Sequence, residues 1–296
     1  MRGRHLALVT AVLASSVGCA SEPRSVEESP PSVSGSATAT TTTTTTTTGA
    51  KPTQWPNSIV VLGHSGATGY NSDPTHPNSD APENSWATGT NPQVNSVYLR
   101  VRAENAAVDG HNFNLAEDGA GIDNLLVQAH KALALVPLPD LFLIQTLDND
   151  IRCDGTDPQH YESFGARLTE ALQVIASGAP NARIFIVSQP GTVANNADVT
   201  SGHPDWIAKW QGDGPCDAFD KTGKLSTAHV AGLQDITDHY FAQEASSCAQ
   251  FPNCTYDGGA WQRMVVVSED FSDDGNHPSV QGHAKRAEVT WAALYG

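Results

Sequence analysis

From residue 59 onward the chain repeats one alternation: a short unbroken apolar run, then a longer stretch whose apolar residues recur at helical spacing. Ile59 to Leu62 predicts a buried strand. A helix is expected over 95–105, where Val97, Leu99 and Val101 mix with Arg100 and Arg102, and a short strand over 112–115. Ile122, Leu125, Leu126, Ala129 and Leu133 then form one helical face, closed by Pro137 and Pro139. "DLFLIQTL" (140–147) predicts a second long apolar strand. Phe164, Leu168, Ala171, Leu172 and Ile175 predict a helix that Gly178 and Pro180 stop. "RIFIVSQ" (183–189) and "RMVVVSED" (263–270) predict further strands, and 279–295 a final helix carrying Ala287, Val289, Trp291 and Leu294. Apolar strands alternating with helices make an α/β fold whose parallel sheet is covered on both faces. In such sheets the working residues stand at the carboxyl ends of the strands.

Residues 191–262 break this rhythm. They hold Trp206, Trp210, Trp261, Cys216, Cys248 and Cys254, and read as an insert lobe of helices and loops stapled by disulfides. The tryptophans there suit packing, with stacking on sugar rings as the other reading.

The segment before residue 53 carries no core pattern. Residues 1–18 have Arg2 and Arg4 ahead of the short apolar run Leu6–Val17, which is too short to span a bilayer and reads as an export signal. Cys19 follows Ser16-Val17-Gly18, as at a bacterial lipoprotein cleavage site, and is the expected lipid anchor; plain secretion is the alternative. Residues 19–52 are rich in Ser, Pro, Glu and Thr and end in the run Thr40–Thr48, a solvated tether. Residues 53–296 then suit one domain.

The formal charge is −16, and losing Arg2 and Arg4 with the leader takes it to −18. That balance disfavours nucleic acid and anionic lipid head groups as partners and leaves the lipid anchor as the membrane contact. Four cysteines remain after Cys19, an even set that predicts two disulfides in an exported chain. The local pair Cys248 with Cys254 is preferred, which leaves Cys153 with Cys216. No C-x-x-C or matched His spacing supports a zinc site, and the acidic loop Asp148, Asp150, Asp154, Asp157 lacks calcium-loop spacing, so no metal and no cofactor are expected. Asn253-Cys254-Thr255 has the glycosylation pattern, which carries little weight beside a bacterial leader.

The chemistry lies at the predicted strand ends. The first strand runs into Gly63-His64-Ser65, and a serine needs a base to become a nucleophile. After the last predicted strand, Asp274 stands three residues before His277, near enough to hold the imidazole tautomer while the other ring nitrogen serves the serine. Gly119, whose backbone can approach a ligand, Asn149, with an amide at a strand end, and the Ser65 N–H are three donors for an oxyanion. These blocks stand in the order Gly63-His64-Ser65, Asn114-Leu-Ala-Glu-Asp-Gly119-Ala120, Leu147-Asp-Asn149-Asp150 and Asp274-Gly-Asn-His277-Pro278. In that order the sequence resembles the SGNH hydrolases, or GDSL lipase/esterase family, over essentially 57–296. The resemblance implies a three-layer α/β/α sandwich on a central parallel sheet of about five strands. It implies ester or thioester hydrolysis through an acyl-serine. Ser65 is then nucleophile, His277 base and Asp274 acid, with Gly119 and Asn149 joining the Ser65 amide as the oxyanion hole.

Two positions depart from the family's pattern: His64 stands where aspartate is usual, and Leu147 where glycine is common. Ala67 excludes the G-x-S-x-G elbow of α/β-hydrolases. The expected protein is an extracytoplasmic serine esterase or lipase, acting on a small-molecule, lipid or carbohydrate acyl ester. A carbohydrate O-deacetylase or an acyltransferase would use the same site. A non-catalytic surface binding lipoprotein on the same fold is the reading from another class.

Overall fold

The computed structural model describes residues 54–296; the leader, Cys19 and the whole Thr-rich tether lie outside the described residues. Five strands form one all-parallel sheet in the order β2-β1-β3-β4-β5. They are β1 (Ile59–Gly63), β2 (Asn112–Asn114), β3 (Leu141–Gln145), β4 (Arg183–Val187) and β5 (Cys254–Tyr256). The eight α-helices among the described residues are α1 (Ser65–Thr68), α2 (Val97–Glu104), α3 (Ile122–Leu133), α4 (Tyr161–Gly178), α5 (Val193–Ser201), α6 (Pro204–Ile207), α7 (Thr227–Cys248) and α8 (Val280–Tyr295).

The central strands are apolar throughout because each side of the sheet has its own core. Side chains alternate along a strand. Val60, Leu62, Phe142, Ile144, Ile184 and Ile186 face the core shared with α3, α4 and α7. Ile59, Val61, Leu141, Leu143, Phe185 and Val187 face the other, with Val97, Tyr98 and Val101 of α2 and Ala287 and Leu294 of α8. These are the three layers that the sequence predicts.

Two expectations are corrected. Residues 263–267 form no strand, and Ser268–Asp270 is a single 3₁₀ turn. Met264 and Val266 turn inward, while Val265 is 70% exposed. The slot beside β4 is taken by Cys254–Tyr256. The Asn195 amide takes over what a neighbouring strand would have supplied: its Oδ1 accepts from Val266 N (2.7 Å) and its Nδ2 donates to Val266 O (3.1 Å). The stretch 191–262 is also divided. Tyr240, Phe241 and Cys248 of α7 are part of the main core, and β5 is the sheet edge, so these residues complete the layers. Residues 193–226 keep a small cluster of their own, built on Ala197, Ala218 and Phe219. Disulfides join Cys248 to Cys254, at the start of β5, and Cys153 to Cys216.

Beneath the end of β3, Glu244 on α7 is fully buried. Its Oε1 accepts from Thr146 Oγ1 (2.8 Å), and its Oε2 has no partner. Burial, aided by Asp257 and Asp150 and opposed by the Thr146 bond, pushes this carboxyl well above its ordinary 4.5. A group whose folded pKa is raised stabilises fully below its unfolded value. That contribution is lost as pH climbs through the folded value. The Glu244→Gln variant keeps an acceptor for Thr146 and cannot ionise. Its urea midpoint is therefore expected to fall less than that of the wild type between about pH 5 and about pH 8. Parallel midpoints would mean that Glu244 ionises without penalty.

Candidate active site

The sheet reverses its winding at β1, which has β2 on one side and β3 on the other. The crevice beyond the carboxyl ends of an open sheet at such a point is where ligands bind. Ser65 stands there, two residues past the end of β1 and 7% exposed. It is the first residue of α1. His64 caps that helix, its Nδ1 accepting from Gly66 N at 3.1 Å. An aspartate oxygen would serve the same cap, so the departure from the family's residue keeps the acceptor. The acceptor role requires an unprotonated Nδ1. Burial lowers the His64 pKa, with Arg286 adding to this and Asp148 opposing it.

His277 reaches the same point from the loop ahead of α8. Ser279 caps α8 by accepting from Gly282 N (3.1 Å), which starts the helix just after the histidine. His277 Nε2 lies 3.0 Å from Ser65 Oγ, and its Nδ1 lies 2.7 Å from Asp274 Oδ2. With Nδ1–H donating to the carboxylate, Nε2 is free to accept the serine proton. Asp274 Oδ1 also accepts from the backbone N–H of Asn276 and His277, each at 2.9 Å. Burial acts to raise the Asp274 pKa, but the His277 and backbone hydrogen bonds outweigh it and hold the carboxyl far below the usual range. Asp273, the neighbouring acid, contributes only its carbonyl, which accepts from Trp206 Nε1 (3.0 Å).

The loop bearing Gly119 is tied to the serine turn. Glu117 N donates to Gly63 O (3.0 Å), Asn114 Nδ2 to Ala67 O (2.8 Å) and Thr68 Oγ1 to Asp118 Oδ1 (3.0 Å). Gly119 itself has φ +70° and open space where a side chain would stand. Asn149 Nδ2 donates to Ala120 O (3.0 Å), which ties Asn149 to the loop bearing Gly119 and leaves its second amide hydrogen available to a ligand. Leu147, at the place where the family often has glycine, adopts φ +88° with its side chain buried in the main core. A left-handed leucine costs about 1–2 kcal/mol, and burial of an apolar side chain of its size offsets this.

Asn71, Tyr70 and Lys209 carry no signal in the sequence and reach the site through the fold. The Tyr70 ring lies 4.6 Å from the His277 ring, centroid to centroid. Lys209 Nζ donates to Asp274 O (2.5 Å), and Asn71 Nδ2 donates to Asp274 Oδ2 (2.9 Å). Asn71 sits at φ +57°, a conformation asparagine tolerates better than most residues. Asn71→Asp keeps that tolerance, removes the donor and sets a like charge against Asp274. We expect kcat to fall on the order of tenfold, as the repulsion displaces the carboxylate that holds the His277 ring. An unchanged kcat would make Asn71 a loop residue only.

A cavity of about 390 Å³ opens beside His277 and Asn149 and is also lined by Arg286 and Trp210. Of the three tryptophans in 191–262, Trp261 is core and packs edge-on to Trp86, Trp206 braces the Asp273 carbonyl, and Trp210 faces this cavity.

The family model described as GDSL-like lipase/acylhydrolase matches residues 59–289. Among solved structures, an extracellular lipase from Streptomyces rimosus is similar at 17% identity, covering 81% of this chain and 99% of that one, with a TM-score of 0.49. Phospholipase A1 from Streptomyces albidoflavus is similar at 15% identity, over 81% and 99% of the two chains, with a TM-score of 0.49. A carbohydrate esterase family 2 enzyme from Corynascus thermopiles is similar at 16% identity, over 83% and 68%, with a TM-score of 0.48. No curated protein sequence matches the chain.

Proposed function

As the chain belongs to the GDSL-like lipase/acylhydrolase family, we propose that it is an extracytoplasmic serine esterase that works through an acyl-serine on Ser65. The observation that carries this reading is the continuous relay from Asp274 through His277 to Ser65, at 2.7 Å and 3.0 Å. Ser65 Oγ attacks the ester carbonyl carbon while its proton passes to His277 Nε2. The Asp274 carboxylate stabilises the imidazolium that results. The carbonyl oxygen, now anionic, is met by the N–H groups of Ser65 and Gly119 and the Asn149 amide. As the tetrahedral intermediate collapses, the C–O bond to the alcohol breaks and His277 returns its proton to the leaving oxygen. Water then attacks the acyl-serine with His277 again as base, releasing the acid and restoring Ser65.

Export is supported by the leader pattern and by two disulfides in the described domain, which suit an oxidising compartment. A lipid on Cys19 with the tether of residues 20–52 would hold the domain clear of a membrane surface. The test is chemical. The wild type is expected to react with a fluorophosphonate and to carry the added mass on the peptide containing Ser65. No reaction, together with no hydrolysis of any ester, would overturn the reading.

A further inference from the structure

The cavity beside the relay has a mixed lining. His277, Asn149, Asp148 and Arg286 are polar parts of it, and two of its amides are already engaged. Gln189 Nε2 donates to Thr146 O (2.8 Å), and Asn196 Nδ2 to Pro190 O (3.0 Å). Ile151, the Cys153–Cys216 disulfide, Ala218, Phe219, Trp210, Ala197 of α5 and Leu233 of α7 supply its apolar parts, with Thr200 and Thr237 on the same two helices. Ala197, Ala218, Phe219 and Trp210 belong to the small cluster of residues 193–226, so this part of the lining is an apolar patch. The disulfide ties the loop after Asn149 to the segment carrying Phe219.

A cavity that takes in His277 and Asn149 together with an apolar patch fits an ester whose hydrocarbon part lies against that patch. Of the two halves of an ester, the acyl group stays bonded to the serine while the alcohol must leave and water must enter. The apolar patch suits the half that stays. The volume lies toward the lower end of the roughly 300–1,000 Å³ usual for small-molecule sites, which suits one chain of moderate length. We propose that this cavity holds the acyl chain of a medium-chain ester, with its methyl end against Trp210, Phe219 and Leu233. This rests on Ser65 being the nucleophile.

Full-length protein is assayed with p-nitrophenyl acetate, octanoate and palmitate. The octanoate is expected to exceed the acetate in kcat/KM by about tenfold or more, since its added methylenes leave water for the apolar patch. Ala197→Trp narrows the cavity at that patch and is expected to cut the octanoate-to-acetate ratio by about tenfold. Trp210→Ala widens it and is expected to move the optimum toward palmitate. A general folding defect would not produce opposite shifts. Ratios that stay put in both variants would overturn the proposal, as would a preference that follows the alcohol when ethyl and octyl acetates are compared. Octanoate binding to the Ser65→Ala protein, measured by calorimetry with and without Ala197→Trp, separates the two readings. Binding that Ala197→Trp abolishes, with no hydrolysis by the wild type, keeps the cavity and sinks the serine mechanism. Ser65-dependent hydrolysis with no octanoate binding sinks the cavity assignment alone. Absence of both sinks both.

Discussion

Ser65→Ala is expected to lower kcat/KM toward an activated ester by roughly 10³-fold or more while leaving the fold unchanged. The removed oxygen is the one 3.0 Å from His277 Nε2, and no other hydroxyl among the described residues is bonded to that nitrogen. The rate that remains would come from the oxyanion donors and from binding, with water taking the place of Ser65. Asp274→Asn should fall in the same direction, because an amide in place of the carboxylate can bind the wrong imidazole tautomer. Stability should hardly change in Ser65→Ala, because α1 is capped by His64 rather than by the serine. A Ser65→Ala protein with near wild-type turnover would remove Ser65 from the mechanism.

Gly63→Ala is expected to be among the most damaging single substitutions in the domain, with a loss of about 3–5 kcal/mol and a fall in Tm of about 10 °C. Gly63 has φ +136°, a region closed to side-chain-bearing residues, and a Cβ built there would stand within bonding range of the Gln145 carbonyl oxygen on β3. The backbone cannot shift to make room. Gln128 on α3 brackets it, with Oε1 accepting from Gly63 N (2.7 Å) and Nε2 donating to Gly63 O (2.9 Å). Gly232 in α7 is the control: it has open space for a Cβ and an ordinary helical backbone, so alanine there should be neutral or stabilising by up to about 1 kcal/mol. Thermal melts of both variants decide the matter. Equal Tm values would mean that the first strand can end without glycine. Any Gly63→Ala protein that folds is also expected to lose activity, because this turn sets where Ser65 points.

Much of the site was legible because its parts are local. Asp274 and His277 are three residues apart, so their pairing depends on one loop, and the Asp-x-x-His spacing reports it directly. Gly63 and Ser65 are likewise one turn. Asn71 was not legible. It meets Asp274 across 203 positions of sequence, on a loop whose path depends on how residues 69–81 fold back beside the first strand. Trp210 was visible as a residue but not as a cavity wall, since its position depends on how 193–226 packs. The misassigned strand at 263–270 has a plain physical origin. An apolar β-branched run is compatible with any extended backbone whose hydrogen bonds are met. Here the Asn195 side chain meets them for Val266, while the less apolar Cys254–Tyr256 takes the sheet edge.

The sequence by itself determined the alternation of strands and helices, the apolar residues that cover both sheet faces, and the residue types of the relay. These follow from periodicity and from spacings of a few residues, which the chain carries without reference to its ends. The tertiary structure alone decided which segment became the fifth strand and that α7 belongs to the main layers. It alone brought Asn71 to Asp274 and placed a cavity beside His277 and Asn149. Each of those depends on contacts between segments tens to hundreds of residues apart, where burial and hydrogen-bond satisfaction across the whole fold outweigh the local pattern.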